Sequence, residues 1–294
     1  MSQRLQKALS AGILLGDGAM GTMLYKAGLK PGDCPELFNQ SAPEKVMRIH
    51  QEYVAAGARL VETNTFGANP IRLARYGLAG QTGELNRLGV TLARQAVGEQ
   101  ALVLASMGPL GELIEPFGEI SQIDAQRAFA LQAEAFVAAG ADACLVETMS
   151  DLTEAVIAVK AAVTAGLFTI AHMSYEVSGR TFMGVAPEQA AEALAEAGAA
   201  VIGANCSVGP TEMLSVVRQL RECTDLPLSC MPNAGLPETI NGVDTWPLSP
   251  AEFAQWGTKL VAAGARLIGG CCGTTPAHIQ ALAQALQGRL AEIG

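Results

Sequence analysis

Charge is scarce in this chain of 294 residues: 16% of positions are charged, against roughly 25% in an ordinary globular domain. The 28 acidic and 19 basic residues leave a net charge of −9, and Lys and Arg nowhere form a run. A phosphate backbone would have nothing to track, so nucleic acid is excluded as a partner. Aromatic residues make up 5%, and the core must be built mainly from small aliphatic side chains. Long apolar runs are also missing. Half the chain is hydrophobic and the mean hydropathy is +0.27, yet no stretch approaches the roughly 18 unbroken apolar residues of a membrane span. The seven cysteines form no even framework, as expected of a reduced protein with free or metal-binding thiols. There are only three histidines, and no Ser-His-Asp arrangement is recognisable. The first residues lead into an amphipathic helix rather than a cleavable signal, and the expectation is a soluble cytoplasmic protein.

What the chain does have is a repeated grammar. An alanine-rich helix stops at a glycine, and a short apolar strand then ends in reactive residues. It occurs at Val54–Asn64, Val137–Thr148, Glu196–Cys206 and Val261–Cys272. The glycine after each helix reads as a C-cap in the left-handed conformation. Further apolar runs at Ile13–Leu15, Leu102–Ala105, Phe168–Met173 and Leu226–Met231 bring the number of strands to eight. They are apolar on both faces, as parallel strands covered by helices should be. Helical patterns fall at about 43–57, 84–98, 122–140, 152–165, 187–198, 210–223, 249–264 and 276–290. Ser41-Ala42-Pro43-Glu44 and Ser249-Pro250-Ala251-Glu252 look like helix starts. Eight βα units without a linker predict one (β/α)8 TIM barrel spanning 1–294, with an open doubly wound sheet as the rival.

In such a barrel the C-terminal strand ends converge on one face. They carry Asp17, Glu62-Thr63-Asn64, Ser106, Glu147-Thr148, Ser174, Asn205-Cys206, Asn233 and Cys271-Cys272. The doublet Cys271-Cys272 lies among Gly269, Gly270 and Gly273. Consecutive strand residues point to opposite sides, so two adjacent thiols can share an ion only where the backbone turns. With Cys206 delivered to the same mouth, three thiolates and an open fourth position make a catalytic type of zinc site, a vicinal disulfide being the alternative. Cys34, Cys144, Cys223 and Cys230 read as small buried hydrophobes. Asp17, in Gly16-Asp17-Gly18-Ala19-Met20-Gly21, is either a turn residue or a partner for a substrate ammonium, with the following N–H groups holding a carboxylate. Glu147 is either an anion at a helix start or a second amine partner, and Glu62 and Asn64 share that ambiguity. His50 and His278 read as structural or solvated residues of the outer ring, and His172 as a core-facing one.

In order along the chain, Gly16-Asp17-Gly18-Ala19-Met20-Gly21-Thr22, Glu62-Thr63-Asn64-Thr65-Phe66, Glu147-Thr148, Gly203-Ala204-Asn205-Cys206, Pro232-Asn233-Ala234-Gly235 and Gly270-Cys271-Cys272-Gly273 resemble the homocysteine S-methyltransferase family. The likeness runs from about residue 10 to 290 and is closest to the homocysteine-binding module of cobalamin-dependent methionine synthase. It implies a zinc-dependent barrel enzyme in which Cys206, Cys271 and Cys272 bind Zn2+ and the thiolate of L-homocysteine completes the set. It further implies that Asp17 and Glu147 hold the amino group, that the backbone around Gly18, Ala19 and Met20 receives the carboxylate, and that Asn205 and Asn233 line the pocket. The product would be methionine. Methyl donors in the family include methylcobalamin on a corrinoid protein, methyltetrahydrofolate acting through one, S-methylmethionine, S-adenosylmethionine and betaine. No corrinoid-binding Asp-x-His-x-x-Gly motif and no folate-binding module occur here. Methylcobalamin, the expected donor, would therefore come from a partner protein or another module of a longer one. A non-catalytic subunit that presents homocysteine to another enzyme is the second reading.

Overall fold

The computed structural model describes residues 2–240 and 243–293. Eight parallel strands form one sheet: β1 (Leu14–Leu15), β2 (Leu60–Glu62), β3 (Leu102–Met107), β4 (Ala143–Met149), β5 (Thr169–Met173), β6 (Val201–Asn205), β7 (Leu228–Met231) and β10 (Ala265–Ile268). An antiparallel hairpin, β8 (Glu238–Ile240) and β9 (Val243–Thr245), lies between the last two. The helices in order are α1 (Ser2–Ala11), α2 (Gly21–Lys26), α3 (Phe38–Ser41), α4 (Pro43–Ala55), α5 (Pro70–Ala74) and α6 (Thr82–Val97). They continue with α7 (Gln122–Ala138), α8 (Leu152–Thr164), α9 (Pro187–Glu196), α10 (Pro210–Cys223), α11 (Pro250–Ala262) and α12 (Pro276–Ala285). The sheet runs β1-β10-β7-β6-β5-β4-β3-β2. A parallel bridge between Gly16 and Leu60, with Arg59 N–H donating to Leu15 O at 2.8 Å, joins its two ends. The barrel is closed, and the open-sheet alternative falls.

Strand parity sorts the side chains. Leu14, Leu60, Leu102, Leu104, Ala143, Leu145, Ile170, Val201, Met231 and Leu267 pack together inside the barrel with Leu5, Ala8 and Leu9 of α1. Their neighbours Leu15, Val61, Val103, Ala105, Cys144, Val146, Ala171 and Ile202 belong to the separate layer beneath the helices. Helix α1 thus fills the N-terminal end of the barrel. The glycines that stop the four repeated helices, Gly57, Gly140, Gly198 and Gly264, all have positive φ, as a left-handed C-cap requires.

Some local expectations change. Ser249 and Glu252 form a reciprocal capping box at the start of α11, but Ser41 belongs to α3 and the cap of α4 is Ala42, without a side-chain bond. Cys34, Cys144 and Cys230 are buried, whereas Cys223 is exposed at the end of α10. His50 and His278 are buried rather than solvated. No described helix is long and apolar enough to cross a membrane.

One buried acid ties the scaffold to a loop near the mouth. Glu154, in the first turn of α8, accepts from Leu110 N–H at 2.7 Å, and burial raises its pKa from 4.5 to about 7. The folded state therefore holds this proton more tightly than the unfolded one. The wild type loses stability from this group as pH rises between about 4.5 and 7. Glu154→Gln keeps an acceptor without the charge. Its advantage over the wild type in urea unfolding is expected to be absent near pH 4 and to grow to at most about 3 kcal/mol above pH 7. The other titrating groups cancel in that difference, so an advantage independent of pH would refute the assignment.

Candidate active site

The same parity that fills the barrel with leucine ends, one step before the mouth, in polar residues. Leu60 is followed two positions on by Glu62, Leu104 by Ser106, Leu145 by Glu147 and Gly203 by Asn205. Ser106, Glu147 and Asn205 are buried, and they bond to one another. Ser106 Oγ donates to Glu147 Oε1 at 2.5 Å. Asn205 Nδ2 donates to Glu147 Oε2 at 2.9 Å, and Thr148 Oγ1 donates to the same oxygen at 3.4 Å. Thr148 N–H closes the loop by donating to Asn205 Oδ1 at 2.8 Å. Desolvation still dominates, and it pushes the Glu147 carboxyl up to about 7 despite these donors.

Beyond Asn205 the backbone of β6 turns sharply. Cys206 and Ser207 have φ of 58° and 53°, and Thr148, at the corresponding place on β4, has φ of 59°. A left-handed conformation in residues other than glycine costs about 1–3 kcal/mol each and clusters where function demands it. Here it aims Cys206 at the turn after β10. The sulfurs of Cys206, Cys271 and Cys272 all lie within 4.8 Å of one another, and Cys206 Sγ is 3.8 Å from Cys272 Sγ. Four sulfurs at 2.3 Å around a tetrahedral zinc ion would be about 3.8 Å apart, so the donor type and this spacing both fit the ion. All three are free thiols in this structure. Hydrogen bonds among them set their acidities apart. Hydrogen bonds from Cys271 and Cys272 bring Cys206 down to about 3, with Asn233 a smaller contributor. The contact with Cys206 raises Cys271 well above the usual thiol range and pushes Cys272 up to about 12.

The turn is locked from several sides. Ala234 N–H donates to Cys272 O at 3.0 Å and Cys271 N–H to Pro232 O at 2.8 Å. Thr274 Oγ1 donates to Cys271 O at 2.7 Å and accepts from Ala19 N–H at 3.1 Å. Gly273 has φ of 80°, and a Cβ there would lie 2.2 Å from the Trp246 ring. The loop carrying the hairpin therefore seats its tryptophan directly on the cysteine turn.

A cavity of about 240 Å³ opens over the sulfurs. Among the expected site residues, Gly18, Ala19, Met20, Glu147, Cys206, Cys271 and Cys272 line it. Asp17, Asn205 and Asn233 do not. They are buried at its edge, at 2%, 1% and 3% exposure. Asp17 Oδ2 accepts from Glu62 N–H at 2.9 Å, and Gly270 N–H donates to Asp17 O at 2.9 Å. Asp17 thus ties together the ends of β1 and β2 and the cysteine turn. Desolvation raises its pKa well above the usual carboxylate value. Sequence reasoning left Glu62 ambiguous and did not single out Phe66 and Arg72, all three of which line the cavity. Glu62 could have been found, because Val61-Glu62-Thr63 repeats Val146-Glu147-Thr148 at the same strand position. His172 lies in the barrel interior with neither ring nitrogen bonded, and burial lowers it to about 3. It has no place among the sulfurs. A larger hollow of about 540 Å³ lies at the opposite end, around α1, Arg221 and Arg266, away from this chemistry.

A family model described as homocysteine S-methyltransferase matches residues 14–286. Methionine synthase of Mycobacterium tuberculosis is 38% identical over 301 residues, and that of Mycobacterium leprae 37%. Each match covers 96% of this chain and 25% of the relative, so the chain spans a quarter of their length. The metallated form of the homocysteine methyltransferase MmuM from Escherichia coli superposes with a TM-score of 0.80 at 28% identity, covering 95% of this chain and 98% of that one. The carboxyl transferase domain of Rhizobium etli pyruvate carboxylase, at a TM-score of 0.59 and 15% identity over 99% of this chain and 47% of that one, shares the fold alone.

Proposed function

Because this chain belongs to the homocysteine S-methyltransferase family, we propose that it transfers a methyl group to the sulfur of L-homocysteine, giving methionine, at a zinc site held by Cys206, Cys271 and Cys272. The observation that carries the reading is the convergence of three sulfurs on a cavity walled by buried carboxylates. A free thiol has a pKa near 8.5, so only a few per cent is ionised at pH 7. When bound, zinc supplies the Lewis acid that keeps the acceptor thiol ionised. The chain's own residues do the rest. Glu147, oriented by Ser106, Asn205 and Thr148, and Asp17 are assigned to the ammonium. The backbone of Gly18, Ala19 and Met20, where α2 begins, is assigned to the carboxylate. Asn233 lies against Cys206, and Asn205 fixes Glu147. The thiol gives up its proton, the S–CH3 bond forms, and the donor departs with the electron pair of its former methyl bond. Holding sulfur and methyl in line at near-contact distance is the barrel's main contribution to rate.

Methylcobalamin carried by a partner corrinoid protein, charged from methyltetrahydrofolate, is the proposed donor. The likeness to methionine synthase supports it. S-methylmethionine or S-adenosylmethionine is the alternative, and the similarity to a homocysteine methyltransferase of matching length keeps it open. The quarter-length match to methionine synthase also favours a second reading, a subunit that presents homocysteine to another enzyme.

Assaying the zinc-loaded protein in parallel with methylcobalamin, S-methylmethionine and S-adenosylmethionine tests all of these. Methionine formation with methylcobalamin is expected, abolished by chelation and restored by zinc. Activity that survives metal removal would end the zinc reading. Homocysteine binding without turnover by any donor would favour the presenting subunit.

A further inference from the structure

The end of β7 and the loop after it touch both halves of the sulfur cluster. Strand β7 lies between β6 and β10 in the sheet, so its loop runs between the strand end that carries Cys206 and the turn that carries Cys271 and Cys272. Toward β6, Cys206 N–H donates to Met231 O and Asn233 N–H to Val208 O, both at 3.1 Å. Toward β10, Cys271 N–H donates to Pro232 O and Ala234 N–H to Cys272 O. These are backbone bonds that many sequences could make. Trp246 adds a side chain to them. Its Cγ and Cδ2 lie 2.2 and 2.4 Å from where a Cβ would stand on Gly273, so the indole rests on bare backbone. Trp246 is not among the residues that line the cavity, and it meets the turn from outside. Its Nε1 is buried with no acceptor among the described residues. Ring contact, rather than a hydrogen bond, is what the side chain contributes. Two residues on, His278 Nε2 donates to Leu248 O at 3.0 Å, and His278 Nδ1 accepts from Thr275 N–H at 3.2 Å. The indole is thus anchored to the start of α12.

Resting on the zinc-site reading above, we propose that Trp246 is a positioning residue for the metal: it holds the Cys271–Gly273 turn against the loop after β7 and so sets the reach of Cys271 and Cys272 toward Cys206. Adjacent thiols share one ion only while the turn between them keeps its shape. Gly269, Gly270 and Gly273 flank the pair, and glycine-rich backbone loses more freedom on ordering than any other. The indole removes that freedom before the ion arrives. A site whose ligands are held in place by the groups behind them binds more tightly than one left to order itself around the metal.

Competition for zinc between the full chain and a chromogenic chelator tests this without substrate or methyl donor. For Trp246→Ala the zinc dissociation constant is expected to rise about 10–100-fold, the range for changes behind a metal ligand. Trp246→Phe keeps a ring over Gly273 and should recover most of that affinity. Trp246→Leu keeps apolar bulk without a flat ring, guards against loss of fold, and is expected near the tenfold end of the same range. Trp256, half-buried like Trp246 but on α11 with Lys259 Nζ over its ring at 3.8 Å, is the control. Trp256→Ala should leave zinc affinity within about twofold. Melting in excess chelator identifies the folded variants, and a purely structural role would lower that melting temperature while leaving zinc affinity alone. Unchanged affinity in the folded Trp246 variants, an equal loss in Trp256→Ala, or no recovery in Trp246→Phe would each overturn the proposal. Wild-type protein that binds no zinc would overturn the underlying reading instead.

Discussion

Cys206→Ala is expected to lose its zinc and, with it, methyl transfer to homocysteine. Zinc should fall from about one per chain to background, since two remaining thiolates do not make the usual protein site. Activity should drop by more than about a hundredfold, because changes merely behind a metal ligand already cost 10–100-fold. The backbone at this position supplies a control for folding. Cys206 holds φ of 58°, a conformation glycine adopts without penalty. Cys206→Gly should therefore bind no more zinc than Cys206→Ala, yet melt at the same temperature as chelated wild type or above it. Metal analysis and thermal unfolding in chelator read the two effects separately. Stoichiometric zinc in Cys206→Ala would refute the ligand assignment, and a well-folded, zinc-free Cys206→Gly would show that the loss is not one of fold.

Gly203→Ala is expected to be the most damaging single methyl group in the molecule. A Cβ at Gly203 would lie 1.8 Å from Ser229 O, a backbone atom of the neighbouring strand. No rotamer change can relieve that overlap; β6 and β7 must separate. Overpacking of this kind in an inextensible sheet should exceed about 4 kcal/mol, a large part of a typical total of 5–15. We expect largely insoluble protein, or a melting temperature lower by roughly 10 °C. Gly140→Ala is the comparison. Nothing lies within 4 Å of its added Cβ, and only the positive φ of 77° opposes it. Its cost should be near 1 kcal/mol, the usual price of a left-handed non-glycine residue. Equal melting temperatures for the two variants would show that the strands can yield.

Much of the architecture was legible because each repeat carries its own punctuation. The glycines at 57, 140, 198 and 264 mark helix ends by a conformational need that alanine meets poorly, and the strand after each is fixed by its apolar run. The convergence of Cys206 with Cys271-Cys272 followed from the barrel, and the turning backbone after β10 explains why two adjacent thiols reach one point. Less legible was what a side chain faces once its strand has ended. Asp17 and Glu62 look equivalent in sequence, yet only Glu62 enters the cavity wall. The difference lies in the parity of β2 and in the Asp17–Glu62 hydrogen bond, which links residues 45 positions apart. The hairpin Glu238–Thr245 was missed for another reason. Its strands are short and mostly polar, with Glu238, Thr239 and Asp244 exposed, and its importance comes from placing Trp246 on Gly273, a contact with no local signature. Cys223 was read as buried from its residue type alone, but at the end of α10 it is exposed beside Glu222, while Leu220 takes the buried side of that turn.

The plug formed by Leu5, Ala8 and Leu9 has a kinetic meaning. For the proposed methyl transfer, both co-substrates would use the cavity over the sulfurs, so compulsory-order binding with the acceptor first is the expected kinetic pattern, and excess donor would slow the escape of the methylated amino acid.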